Sequence, residues 1–174
     1  MNSIKPEEFK ELVKEKEIIE EIKFEQLTEN SLKEINELQK IFPNWTRESS
    51  IKKIRSTIRG KDFRFVVKKN EEIIAHVKFL KKKSIHEHIA EMTSLIVNSS
   101  ERRKGIATKL INFSIEKLPK KIKLITLAVD SKNKNAINLY KKIGFKKYGL
   151  LKKGSKIREK YVNNCLMVKE VNKN

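Results

Sequence analysis

The chain has 174 residues, enough for one domain with a sizeable core, and 38% hydrophobic with 36% charged residues describes a globular protein with a heavily charged surface. Five glycines and three prolines exclude a long flexible linker or a low-complexity chain, and the single cysteine, Cys165, excludes an internal disulfide framework and a thiolate-built metal centre. No apolar run approaches the roughly 18 residues a membrane helix needs, and the N-terminus lacks the apolar core of a secretory signal, so a reducing, cytoplasmic setting is expected.

The formal net charge is +19 and is unevenly spread. Residues 101–174 carry 21 Lys and Arg against 5 Asp and Glu, whereas residues 1–25 carry 5 against 8. The basic half attracts polyanions. A lysine excess in a chain also rich in Ile and Asn is equally what a biased base composition produces. No basic stretch is interleaved with aromatics that stack nucleobases, which argues against nucleic acid as partner. The acidic N-terminal segment has two natural docking places, the basic half or a second subunit, so a homodimer is one expectation.

Pro6 to Ile19 has the apolar spacing of an amphipathic helix, and residues 1–20 are expected to form an N-terminal helical extension of one domain over 21–171. A strand is expected at Ile22–Gln26. Ser31 is placed to cap a helix carrying Leu32, Ile35, Leu38 and Phe42, with Glu34 completing a capping box and Pro43 stopping it. A second helix is expected from Glu48 to Arg59, ended by Gly60. Phe63–Val67 and Ile73–Leu80, joined at Asn70-Glu71, read as a hairpin, and Ile89–Val97 as a further strand. Connections this short make these strands antiparallel.

The pattern then changes to helix (Lys104–Leu118), strand (Leu124–Val129) and helix (Asn135–Ile143), with Pro119 and Gly144 as stops. Strands at Phe145–Leu151 and Val162–Val168 end the series. The fold class is a mixed α/β sheet of about seven strands, antiparallel first and locally parallel around the two later helices.

Chemistry concentrates where the Ile89–Val97 strand runs into the next helix through Asn98-Ser-Ser-Glu-Arg-Arg-Lys-Gly105-Ile-Ala-Thr108. The first N–H groups of a helix lack internal partners and sit at the positive end of its dipole, so phosphate oxygens satisfy both. Gly105 and Ala107 let a phosphate approach the backbone, and Arg102, Arg103 and Lys104 add charge. An ordinary strand-to-helix turn with surface lysines explains the same residues.

Arg102-Arg-Lys-Gly105-Ile-Ala107 resembles the Arg/Gln-x-x-Gly-x-Gly/Ala signature of the GNAT (Gcn5-related) N-acetyltransferases. Asn133-Lys-Asn-Ala136-Ile-Asn-Leu139-Tyr140-Lys-Lys-Ile-Gly144-Phe145 is similar to that family's second segment. Alanine at 107, for the commoner glycine, is the one departure in the first block. The resemblance spans roughly Ile22 to Val168. It implies acetyl-CoA as cosubstrate, no metal, and direct attack of an amine acceptor on the thioester without a covalent acyl-enzyme. It further implies that Leu95, Ile96 and Val97 run beside the pantetheine, with an N–H near Leu95 or Ile96 facing the developing oxyanion. This strand and Leu124–Val129 then splay to admit the cofactor. The cofactor residues implied are these three with Arg102, Arg103, Lys104, Gly105, Ile106, Ala107, Thr108, Asn133 and Tyr140.

Proton transfer needs an acid and a base. Tyr140 matches the family tyrosine near the thioester sulfur and is the candidate acid, with a packing aromatic as the alternative. Glu91 is the candidate base at a spacing that resembles histone-modifying members, flanked by Ile89, Ala90 and Met92, which are expected to desolvate it. An exposed strand-end carboxylate and a water-chain base are the alternatives. His86 and His88 read as surface residues of a basic turn, His76 as structural or solvent-facing, and Cys165 as packing. Trp45, Glu91 and Tyr161 are candidate acceptor-pocket residues, with a staple between the first two helices as the alternative for Trp45. Lys160-Tyr161-Val-Asn163 is similar to a Gly-Lys-Tyr-x-Asp ending in the family, with Glu159 for the glycine and Asn163 for the aspartate. A nucleic-acid-associated module, or an acyl-CoA-binding module without turnover, stays open on the same residues.

Overall fold

A computed structural model describes residues 21–171, so the helix expected over Pro6 to Ile19 lies outside the described residues. Seven strands form one sheet: β1 (Ile22–Gln26), β2 (Asp62–Lys69), β3 (Glu72–Lys81), β4 (Ile89–Val97), β5 (Leu124–Asp130), β6 (Lys146–Ile157) and β7 (Lys160–Glu170), in the order β1-β2-β3-β4-β5-β7-β6. Helices α1 (Ile35–Ile41) and α2 (Arg47–Ile58) follow β1, α3 (Ile106–Lys117) links β4 to β5, and α4 (Lys134–Ile143) follows β5. No helix among the described residues is long and apolar enough to cross a membrane.

The mixed α/β reading holds. β1 to β4 pair antiparallel, and the α3 crossover makes β4 and β5 the parallel pair. β5, β7 and β6 are antiparallel, so the parallel character expected around both later helices is confined to the first of them. The final hairpin is longer than expected. Its two-residue turn uses Arg158 and Glu159, both at positive φ, and the chain twists through irregularities in β6 on the way.

Strand alternation divides the core between two faces. On one face Phe65, Val67, Ala75, Val77, Phe79, Ala90 and Met92 pack with Leu110 and Ile111 of α3 and Tyr140 and Ile143 of α4. On the other, Val66 and Ile73 pack with Leu27, Ile35, Leu38 and Ile54 beneath α1 and α2. Cys165 is buried in the first cluster, in keeping with a packing role.

The cap expected at Ser31 falls elsewhere. A 3-10 turn over Glu29–Glu34 comes first, capped by Thr28, whose backbone N–H donates to Ser31 Oγ at 3.0 Å. Ser31 is therefore the third residue of the turn and closes the box, and α1 starts only at Ile35. Glu34 is drawn off by the buried Lys68, at 2.7 Å, which also meets Glu25 at 2.8 Å. A buried ammonium outcompetes a helix-end N–H for a carboxylate. At the far end of α4, Gly144 stands at φ 100, where a Cβ would lie 2.9 Å from Lys169 Nζ, itself a donor to the Ile143 carbonyl at 2.9 Å. The left-handed φ is what favours glycine at that stop.

Two features open the sheet. Phe79 opposes Met92 and Lys78 opposes Ser94, so Thr93 is a bulge in β4. The β4–β5 pairing ends at Met92 and Leu127, after which the strands part. Phe65, fully buried and edge-on to both Phe79 and Phe113, joins the strands to α3. Phe65→Ala is expected to lower stability by about 3–5 kcal/mol, read as a shifted urea midpoint with an unchanged slope.

Candidate active site

A cavity of about 940 Å³ opens where β4 and β5 part. Leu95, Ile96 and Val97 form one wall, Arg102, Arg103 and Gly105 to Thr108 the floor, and Asn133, Ala136 and Leu139 the other side. The backbone of β4 presents itself to this space. Asn98 N–H donates to the Ile74 carbonyl on β3 at 2.8 Å. By strand alternation Ile96 N–H also faces β3, which turns the N–H groups of Leu95 and Val97 toward the cavity. Of the two oxyanion donors that the sequence left open, the geometry favours Leu95.

Gly105 caps α3 in the left-handed region at φ 78, and a Cβ built on it meets nothing within 4 Å. The space beside it belongs to the cavity, over the unpaired N–H groups of the first turn of α3. This is a cradle for a phosphate-sized anion. Arg103 is also left-handed, at φ 65, and Arg102 Nε donates to the Val97 carbonyl at 3.1 Å, which fixes the loop to the end of β4. Lys104 is tied to Glu101 at 3.0 Å and does not line the cavity. Glu101, not foreseen in the sequence, is buried between Lys104 and Lys69, whose ammonium groups hold its carboxyl below the usual range. It trims the positive charge of the loop.

Asn133 caps α4, its Oδ1 accepting from Ala136 N–H at 3.1 Å. Tyr140 is 8% exposed, packs edge-on against Phe145 with ring centres 5.8 Å apart, and has its hydroxyl pKa raised by burial. Asn135, Asn138 and Lys142, on the cavity side of α4, escaped the sequence reading because they are variable positions of the motif.

Glu91 and Trp45 lie on the sheet face away from α3. Glu91 is on that face because Ala90 and Met92 point to the opposite one, so of the three apolar neighbours only Ile89 shares its face. Its carboxylate is held by Lys82 instead. His88 stays apart, on the far side of a regular stretch of β4, and its carbonyl accepts from Lys123 and Leu124. Trp45 stacks on Phe42 at 3.7 Å between α1 and α2, the staple arrangement. Tyr161 is 64% exposed near the tip of the β6–β7 hairpin.

His76, expected to be structural or solvent-facing, is fully buried under the edges of Phe42 and Trp45. Beside it sit Arg64, Asp62, Thr57, Lys78 and Lys53, none of which the sequence reading singled out. The signal was there in principle: Arg64, His76 and Lys78 fall on the same face of two strands whose middles are otherwise apolar.

Comparisons with known proteins agree with this geometry. The model of the acetyltransferase (GNAT) family matches residues 29–145, and the chain belongs to that family. Among curated proteins there is no sequence match. Among solved structures it is similar to an N-acetyltransferase from Staphylococcus aureus Mu50 (19% identity, 87% of this chain and 99% of that one, TM-score 0.76). It is also similar to the ribosomal-protein-S18-alanine N-acetyltransferase from Escherichia coli (17%, 88% and 96%, TM-score 0.70). A third is Arabidopsis thaliana NAA60 in complex with a bisubstrate analogue (21%, 87% and 99%, TM-score 0.67). At these identities the likeness is one of fold. The GNAT fold with a seven-stranded mixed sheet is thereby established, and acetyl transfer is the activity of the family.

Burial, with Arg64 and Lys78 nearby, lowers the pKa of His76 from 6.5 to about 3. The unfolded chain therefore takes up a proton below pH 6.5 that the folded chain refuses until near pH 3. Stability is full above pH 6.5 and falls as the pH drops through this window. Between pH 7 and pH 5 urea unfolding is expected to show a loss of about 2 kcal/mol from this group, absent in His76→Phe.

Proposed function

We propose that this chain transfers the acetyl group of acetyl-CoA to a primary amine, of a small molecule or a protein, by direct attack. The observation that carries the reading is the cavity at the parting of β4 and β5, with the glycine-capped N-terminus of α3 as its floor. The donor set suits coenzyme A. Unpaired N–H groups and two arginines face the pyrophosphate end, and the free edge of β4 offers Leu95 and Val97 to an extended chain of amides.

Acetyl-CoA supplies the activated acyl group. The amine nitrogen bonds to the acetyl carbon, the carbon–sulfur bond breaks, and the sulfur leaves as a thiolate that takes a proton. Tyr140 is the donor: a tyrosine hydroxyl is protonated at neutral pH, and burial raises its pKa further. Leu95 N–H stabilises the negative oxygen as it forms. Glu91 receives the amine's proton, directly or through water, with Lys82 fixing its carboxylate. Trp45 and Tyr161 flank the acceptor's approach. A cytoplasmic setting fits the cosubstrate and the single buried cysteine.

Thiol release from acetyl-CoA across an amine panel tests the reading, and no release with any amine overturns it. Tyr140→Phe is expected to lower kcat by about a hundredfold or more with little change in KM for acetyl-CoA. Undiminished turnover in both Tyr140→Phe and Glu91→Gln would sink the proton route. Gly105→Glu, which puts a strained, anionic side chain into the cradle, is expected to abolish CoA binding measured by calorimetry.

A further inference from the structure

We propose that the acceptor amine carries an anionic group, a carboxylate or a phosphate, that docks on Lys78 and Lys53 beside the reacting stretch of β4. The inference rests on the proposed transfer and names the class of its acceptor.

On the face of the sheet away from α3, Arg64, Lys78 and Ser94 lie side by side across β2, β3 and β4. Ser94 follows the Thr93 bulge and precedes Leu95, so Lys78 stands one strand, about 5 Å, from the backbone proposed to face the oxyanion. Arg64 is almost fully buried and committed: it meets Asp62 at 3.1 Å, and its Nε donates to Thr57 Oγ1 at 3.1 Å. Asp62 also accepts from Thr57 at 2.5 Å and from Ser56 at 3.2 Å. Lys78 reaches Asp62 only at 4.0 Å, and Lys53 has its ammonium 4.3 Å from the Trp45 ring centre.

Arg64 and Lys78 thus share one acid, Asp62, and Lys53 stands close enough to Arg64 to be repelled by it. Lys53 and Lys78 have their pKa values lowered by burial and then by Arg64, and Lys78 also by Lys53. His76 beside them is neutral at physiological pH and both its ring nitrogens are buried without a partner, so it adds no charge of its own to the group. The indole of Trp45 offsets part of the excess at Lys53 and Arg64. Lys78 has no such offset.

The rest of β2 shows how this chain handles half-buried cations when no ligand is intended. Lys68 has Glu25 and Glu34, and Lys69 has Glu101. Like charges left together at the edge of a site, when neighbouring ones are paired, call for an external anion. Lys78, with 23% of its side chain exposed, is the cation placed to meet it.

The test uses matched acceptors: propylamine against β-alanine for a carboxylate, ethanolamine against phosphoethanolamine for a phosphate, and Ala-Ala-amide against Asp-Ala-amide for a peptide. At least one anionic member is expected to exceed its neutral partner in kcat/KM by about tenfold or more. Lys78→Met is expected to erase that preference through KM for the anionic member, leaving KM for acetyl-CoA and the neutral member unmoved, while Lys78→Arg retains it. Trp45, the single tryptophan, gives a readout without turnover. Its fluorescence is expected to saturate with the preferred anionic amine in the presence of CoA, and to do so more weakly in Lys78→Met. Equal turnover of charged and neutral members, or a preference untouched in Lys78→Met, overturns the inference and leaves the transfer standing. No turnover with a Trp45 response confined to anionic amines removes the transfer and keeps the anion site.

Discussion

Everything at this site depends on two strands ceasing to pair. β4 and β5 run together only as far as Met92 and Leu127, and the Thr93 bulge re-aims β4 at the point of separation. The backbone N–H groups of Leu95 and Val97 are thereby left without a strand partner. A continuous sheet would have consumed those donors and closed the space above α3. Unpaired backbone in a half-buried setting is costly, and it persists where a ligand can take the place of the missing strand.

The two sides of the opening carry different electrostatics. On the cofactor side, helix N–H groups and Arg102 and Arg103 make a positive floor, trimmed by Glu101. On the opposite face, Arg64 and Lys78 meet one carboxylate with Lys53 beside Arg64, and a neutral buried histidine and a stacked Phe42–Trp45 pair close the inner wall. Both ends thus favour negative charge, for separate reasons: dipole and loop on one side, imbalance among side chains on the other. The stretch of β4 proposed to face the oxyanion lies between them, which suits the proposed transfer and its proposed anionic acceptor.

Much of the fold was legible because its signals are local. Alternation in Phe63–Val67 and Ile73–Leu80, the Asn70-Glu71 turn and the Gly144 stop each depend on a few adjacent residues, and each lies where expected. Ser31 failed as a cap because Glu34, its partner in the box, is claimed by Lys68, 34 residues away. Lys104, expected to add charge at the phosphate, also pairs with Glu101, and Ala90 and Met92, two of the apolar neighbours given to Glu91, point to the other face. In all three cases a contact or an orientation absent from the local pattern decides the outcome.

The sequence by itself determined the glycine-started helix and the loop before it, because they form one continuous segment whose local chemistry travels with it. It also determined the order of the strands' types, through hydrophobic period and turn residues. Only the tertiary structure decided where β4 and β5 part, which β4 amides face the gap, and which of Arg64, His76 and Lys78 come together. Those outcomes depend on register between strands distant in sequence, and a one-residue bulge is enough to change which groups share a face.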